Sequence, residues 1–106
     1  MPRQLSLASL AVLHAVATGT SHGFDIIEAT ALPGGTVYPA LSRLERDQLV
    51  SSDWEDVAIA RAEGRPPRRY YAITATGLRE LNDALSRIHA MKPVRSRRTS
   101  PAKSRA

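Results

Sequence analysis

Apolar residues recur along this chain in two rhythms, first helical and then alternating, and the change falls near residue 49. From Leu5 to Thr18, Leu, Ala and Val crowd most of the circumference of a helix, which predicts burial on more than one side, with Gly19 as its stop signal. Thr20 and Ser21 read as a very short strand. Ser21 or His22 then caps a second helix over about Gly23–Thr30, with Phe24 and Ile27 on one face, and Ala31–Gly35 forms a tight connector through Pro33-Gly34-Gly35. The third helix is predicted from Thr36 to Gln48, where Val37, Ala40, Leu41 and Leu44 follow the i, i+3, i+4, i+7 spacing of one buried stripe. Its other face carries Tyr38, Ser42, Arg43 and Arg46. Pro39 is tolerated only in a first turn, which makes Thr36 the expected N-cap. Helix, glycine-containing turn and amphipathic helix follow in the order of a helix-turn-helix unit.

Period two sets in with Leu49–Glu55, a strand that places Val50 and Trp54 on one side. A second strand, Arg68–Thr74, alternates Tyr71 and Ile73 with Tyr70 and Ala72, so one face can cover the helices. Between them Asp56–Pro67 ends in Gly64-Arg65-Pro66-Pro67 and reads as a hairpin loop, because proline donates no ladder hydrogen bond. A hairpin directly after a reading helix is a wing. Thr74 caps a last helix on which Leu78, Leu81, Leu85 and Ile88 recur at three- and four-residue steps among Arg79, Glu80, Asp83 and Arg87, a seam resembling half of a helix pair. Pro93 ends it. Residues 92–106, rich in Ser, Pro, Lys and Arg, are predicted to be disordered because they have little apolar area to bury.

A length of 106 residues suits one domain, one core and a tail. The net charge of +5 points to an anionic partner, but its location qualifies that. Up to Met91 nine basic residues face ten acidic ones, while Lys92, Arg95, Arg97, Arg98, Lys103 and Arg105 face none. Any nucleic-acid argument therefore rests on where individual arginines stand. Absence of cysteine excludes disulfides and thiolate metal sites and fits a reducing compartment. Leu5–Ala17 falls short of the roughly 20 residues a bilayer requires, His14 interrupts it and only Arg3 precedes it, so no membrane span or secretion signal is expected and a cytoplasmic location is.

Three ordered motifs carry a resemblance. His22-Gly23-Phe24-Asp25-Ile26-Ile27, then Gly35-Thr36-Val37-Tyr38-Pro39-Ala40-Leu41-Ser42-Arg43-Leu44-Glu45, then Gly64-Arg65-Pro66-Pro67-Arg68-Arg69-Tyr70-Tyr71-Ala72-Ile73-Thr74 with Gly77, are together similar to the PadR family of bacterial transcriptional regulators over about residues 5 to 90. The resemblance implies a mainly α fold with a small β-hairpin wing: a winged helix-turn-helix DNA-binding domain over 1–74, a dimerisation helix over 75–91 and the basic tail. It further implies operator binding, usually repression, with the segment from Thr36 in the major groove and Arg65, Arg68 and Arg69 on the wing. Two departures stand out: the connection from His22-Gly23 to Gly35-Thr36 is shorter than is usual, which predicts a shortened second helix and a tilted reading helix, and the loop Asp56–Glu63 is longer.

The expected DNA contacts are Thr36, Tyr38, Pro39, Ser42, Arg43 and Arg46 on the helix, with Arg65, Arg68 and Arg69 on the wing. Arg43 or Arg46 can grip guanine O6 and N7 in a bidentate fork, or pair with Glu45 or Asp47, Arg46 more readily. Tyr38 can instead stack under the wing, and Arg68 and Arg69, being consecutive on a strand, cannot project the same way. Backbone contacts by these groups supply affinity rather than sequence choice. Trp54 reads as an aromatic pinning the wing to a helix, or as the wall of a small-molecule effector site facing the dimer helix. His14, His22 and His89 are too scattered for a metal site, and Asp25 and Glu28 have no nucleophile or phosphate loop beside them, so neither cofactor nor enzyme activity is expected. In a homodimer seam Leu78, Leu81, Leu85 and Ile88 would bring about 1.5 to 3 kcal/mol each. Association costs about 4 to 15 kcal/mol, so a surplus from the first helix is needed. The sequence reading is thus a homodimeric repressor of a double-stranded DNA operator, released by a small molecule; the competing class is a winged-helix protein-interaction module.

Overall fold

A helix that is apolar all round has to be enclosed, and the fold is the enclosure of one. The computed structural model describes residues 4–91, so the expected basic tail, 92–106, lies outside the described residues. Helix α1 (Leu7–Ala17) starts at Ser6, whose Oγ accepts the Ser9 N–H at 3.0 Å, and ends before Gly19 at φ +103°. It buries Leu10, Val12, Leu13, Ala15 and Val16, and packs against α2 (Gly23–Thr30), α3 (Gly34–Arg46), β2 (Arg69–Ile73) and α5 (Ala75–Ala90). The predicted stripe Val37, Ala40, Leu41 and Leu44 forms the α3 side of this core, with Ile26 of α2, Leu49 and Val50 added. On α2 it is therefore Ile26 that is fully buried, while Phe24 stands 61% exposed at the rim.

Antiparallel strands β1 (Val50–Trp54) and β2 pair in the register Val50↔Ile73, Ser52↔Tyr71, Trp54↔Arg69. Val50 and Trp54 do share a face, and Tyr71 and Ile73 cover the helices as the alternation predicts. Four residues of strand carry Trp54 about 13 Å beyond Val50, past the edge of the helical layer. It is 65% exposed and does not pin the wing to a helix. The strand expected at Thr20-Ser21 is reduced to a bridge between His22 and Tyr70, supported by the Tyr71 N–H donating to the Ser21 carbonyl at 2.7 Å.

Three elements depart from the sequence expectation. Helix α3 begins at Gly34, with Pro33 as an N-cap that makes no side-chain bond, so Thr36 lies inside the first turn and is not the cap. Pro39 consequently sits in the second turn, where its missing N–H leaves the Gly35 carbonyl without an i+4 donor. The loop predicted between the strands contains a short helix, α4 (Val57–Ala62), capped by Asp56 Oδ1 accepting the Ala58 N–H at 2.8 Å. On α5 the seam divides: Leu81 is 3% exposed and joins Ala84 in the domain's own core, while Leu78, Leu85 and Ile88 are 45%, 38% and 46% exposed.

The start of α5 is fastened to the end of α3. Thr74 Oγ1 accepts the Gly77 N–H at 2.9 Å and donates to the Gln48 carbonyl at 2.7 Å, while the Thr74 N–H donates to the Leu49 carbonyl at 3.0 Å. This brings α5 so close that a Cβ on Gly77 would overlap the Leu49 carbonyl oxygen and approach Ile73 Cγ1 to 2.9 Å. Only glycine fits there. Gly77→Ala is expected to destabilise the domain by at least about 3 kcal/mol, since backbone rather than a flexible side chain must yield, and urea unfolding followed by circular dichroism measures it.

Candidate nucleic-acid interface

With α3 starting two residues earlier than its sequence suggests, its outward stripe is longer. Gly35, Tyr38, Pro39, Ser42, Arg43 and Arg46 are all exposed and follow one another at three- and four-residue steps. Arg43 and Arg46 border a cleft with Ser6 and Ser9 of the α1 start, whereas Tyr38 lies on the opposite flank toward the wing. Thr36 is not the cap and makes no side-chain hydrogen bond among the described residues. Tyr38 neither hides under the wing nor stands clear. Its ring lies on Gly23 at the start of α2, so close that a Cβ there would come within 2.5 Å of it, and it remains 49% exposed. Arg46 pairs loosely with Asp47 at 3.5 Å, and Arg43 has no ion pair among the described residues.

Two carboxylates decide what the wing arginines do. Glu45, on α3, accepts the Ser52 hydroxyl at 2.6 Å and Arg69 Nη2 at 3.3 Å, while Arg69 Nε donates to Ser52 Oγ at 2.9 Å and its guanidinium lies 5.5 Å from the Trp54 ring centroid. Arg69 thereby straps the hairpin to the reading helix. Glu55, whose side chain is only 6% exposed, accepts Arg65 Nη1 at 2.7 Å and Nη2 at 2.9 Å, the Arg68 backbone N–H at 3.2 Å and the Tyr70 hydroxyl at 3.4 Å. Arg65 also donates to Glu63 at 3.0 Å and to the Pro66 carbonyl at 3.3 Å. Its guanidinium is spent on the wing. Of the three wing arginines only Arg68 has no ion-pair partner among the described residues. Sequence reasoning offered Glu45 to Arg43 or Arg46 rather than to Arg69 and missed Glu55, because a hydrophobic alternation supplies no signal for contacts that link residues up to 24 positions apart.

Between α2, α3 and the hairpin lies a cleft of about 330 Å³ lined by Phe24, Tyr38, Trp54, Pro67, Arg68 and Tyr71 among others. No α5 residue reaches it, so Trp54 does not face the expected dimer helix. Burial pushes the Tyr71 phenol up from its ordinary value. At α2, His22 sits at the N-cap without a side-chain capping bond and turns Nδ1 to Asp25 at 3.1 Å. Among the described residues no group of three or more His, Cys, Asp or Glu is placed to hold a metal, and no helix is long and apolar enough to cross a membrane.

A reading helix with an uncovered polar stripe, an antiparallel hairpin strapped beside it and a long C-terminal helix define a winged helix-turn-helix protein. The family model of the PadR-like transcriptional regulators matches residues 12–83, and the chain belongs to that family, as the three sequence motifs implied. Among solved structures, a PadR family transcriptional regulator from Eggerthella lenta is 27% identical, with a TM-score of 0.64 over 76% of this chain and 70% of that one. A PadR family regulator from Clostridium difficile is 21% identical, at 0.69 over 79% and 88%. BpsR from Bordetella bronchiseptica, whose DNA binding is regulated by 6-hydroxynicotinic acid, is 20% identical, at 0.68 over 85% and 66%, a likeness of fold. No curated protein sequence matches the chain.

Hydrogen bonds from Arg65, opposed by burial and reinforced by the Arg68 N–H, hold the Glu55 carboxyl down at about 2, against an ordinary value of 4.5. Arg65 is raised in turn, chiefly by its hydrogen bond to Glu55. A depressed carboxylate contributes stability that is complete above its unfolded pKa and is lost as pH falls through the folded one. Glu55→Gln should therefore lower stability near neutrality and flatten its loss between pH 4.5 and about 2, read from urea midpoints across that range.

Proposed function

We propose that this regulator is a homodimeric, cytoplasmic repressor that binds an imperfectly palindromic operator and releases it on binding a small molecule. The uncovered stripe of α3 beside a fastened wing is the observation that carries the reading. Ser42, Arg43 and Arg46, with Tyr38 and Pro39 on the approach, face the base edges of the major groove, Arg43 offering a guanidinium free for a bidentate grip on guanine. Thr36 donates to phosphate at the start of the helix, where backbone N–H groups and the dipole favour an anion. On the wing, Arg68 takes a phosphate, while Arg65 and Arg69 act through the wing's shape. Residues 92–106, with six basic side chains and no acid, add attraction that is blind to sequence.

Dimerisation would use α5. Leu78, Leu85 and Ile88 are exposed, but Leu81 serves its own core and α1 leaves only Leu7 widely uncovered among its large apolar side chains, so the surplus expected from α1 is small. Met91, 69% exposed at the end of the helix, extends the same apolar surface. With only 38–46% of each left to bury, these three side chains bring about 2 to 4 kcal/mol per protomer, which makes the assembly sensitive to a single charge. A twofold pair would set two reading helices about 34 to 36 Å apart, one turn of duplex. BpsR's control by a small aromatic acid supports release by an effector as a class of mechanism.

Binding-site selection on wild type, Arg43→Ala and Arg68→Ala tests the assignment. Arg43→Ala is expected to change the preferred sequence, losing about 1 to 3 kcal/mol of discrimination at one position, whereas Arg68→Ala weakens all sequences alike. Identical sequence preferences for wild type and Arg43→Ala would overturn it, and selection of no duplex at all would favour the protein-interaction module. Leu85→Glu should yield a monomer by light scattering with weakened operator binding, while Leu81→Ala should instead cost about 2 to 5 kcal/mol of folding stability.

A further inference from the structure

We infer that the wing of this chain rests on the sugar-phosphate backbone through the cleft between Tyr38 and Trp54, with its helical tip, α4, held out of the minor groove. The inference builds on the DNA-binding reading above. Its first ground is width. A helix with side chains measures about 10 to 12 Å across, whereas the minor groove of B-DNA is about 6 Å wide. The tip cannot thin itself by unwinding at little cost. Ala60 is 1% exposed beneath α4, the Arg65 N–H donates to the Ala60 carbonyl at 3.1 Å, and the Glu55–Arg65 pair closes the loop behind it.

The second ground is charge. Short of Arg68 and Arg69 at its base, the wing from Ser51 to Pro67 carries four acidic residues, Asp53, Glu55, Asp56 and Glu63, against two basic ones, Arg61 and Arg65, and with Glu55 and Arg65 paired it keeps three acids against one base. A narrow minor groove concentrates negative potential and draws in cations. This tip offers exposed Val57 and Ile59 edged by carboxylates, the opposite of what that groove attracts.

The cleft at the base of the wing has the complementary chemistry. Phe24, Tyr38 and Trp54 leave 61%, 49% and 65% of their surfaces uncovered around it, and Arg68 enters it without an ion-pair partner among the described residues. One face of Trp54 is covered by the Arg69 guanidinium, leaving the other open. Apolar walls beside a cation that makes no ion pair among the described residues match the alternation of deoxyribose and phosphate along a strand, and the cleft is continuous with the α3 stripe through Tyr38. A strand whose bases are read by Ser42 and Arg43 would leave the major groove through this cleft.

Trp54 is the only tryptophan of the chain and reports on the cleft directly. The full chain is titrated with its selected operator and with an unrelated duplex, following Trp54 fluorescence. In parallel, pairs flanking those read by α3 are changed one at a time, guanine to inosine or adenine to 2,6-diaminopurine, which removes or adds the minor-groove amino group and leaves the major-groove edge intact. Trp54 emission is expected to change with both duplexes. The base changes should alter affinity by less than about twofold, against about fivefold or more for a lost base contact. Trp54→Ala, a substitution at an exposed position, should weaken both duplexes in the same proportion. Unchanged Trp54 emission on a bound operator, or a fivefold response to any flanking change, overturns the placement while leaving the regulator intact. No binding to any duplex overturns both, and is told apart by the absence of a titration.

Discussion

Everything in this molecule is arranged around the need to bury most of α1. Apart from the exposed line of Leu7 and His14, its Leu, Val and Ala side chains leave little face for water, so α2, α3, β2 and α5 each give one apolar surface to it. That demand orients the reading helix. With Val37, Ala40, Leu41 and Leu44 turned to α1, the polar stripe from Gly35 to Arg46 has only solvent to face. The same demand takes Leu81 away from the exposed seam of α5, which is why that apolar seam is narrower than a heptad count suggests.

A second layer of order is electrostatic and holds the hairpin where apolar burial ends. The face that begins at Val50 and Ile73 in the core runs out to Trp54 and Arg69 in water, and the bridge from Glu45 through Ser52 to Arg69 spans the transition. Exposed ion pairs contribute little singly. The Glu55 node is different because its carboxylate is nearly enclosed and has donors on both oxygens, so breaking it leaves a buried charge without partners. These two acids sort the wing arginines into Arg65 and Arg69, which shape the wing, and Arg68, which makes no ion pair among the described residues.

The connection between α2 and α3 is short, and the loop between β1 and β2 is long. The first is achieved by compression: Ala31 adopts a left-handed conformation at φ 58°, and α3 recruits Gly34 and Gly35 into its first turn. The second is filled by a helix that gives the wing a broad, acidic and partly apolar tip.

Periodicity along the chain was enough to determine α1, α2, α3 and α5, though not the short α4, together with the hairpin, the buried stripe of α3 and the capping role of Thr74, because those depend on spacing within a few residues. Three motifs in order were enough to reveal the family. The starting residue of α3 was not legible: Pro39 argues for a start at Thr36, and only the Thr36 and Val37 N–H groups donating to the Pro33 carbonyl show the earlier one. Nor were the partners of Arg65 and Arg69, the division of the α5 seam, or the exposure of Trp54. Each depends on contacts between residues far apart in the chain or on where a layer ends in space, and a local pattern of apolar and polar positions contains neither.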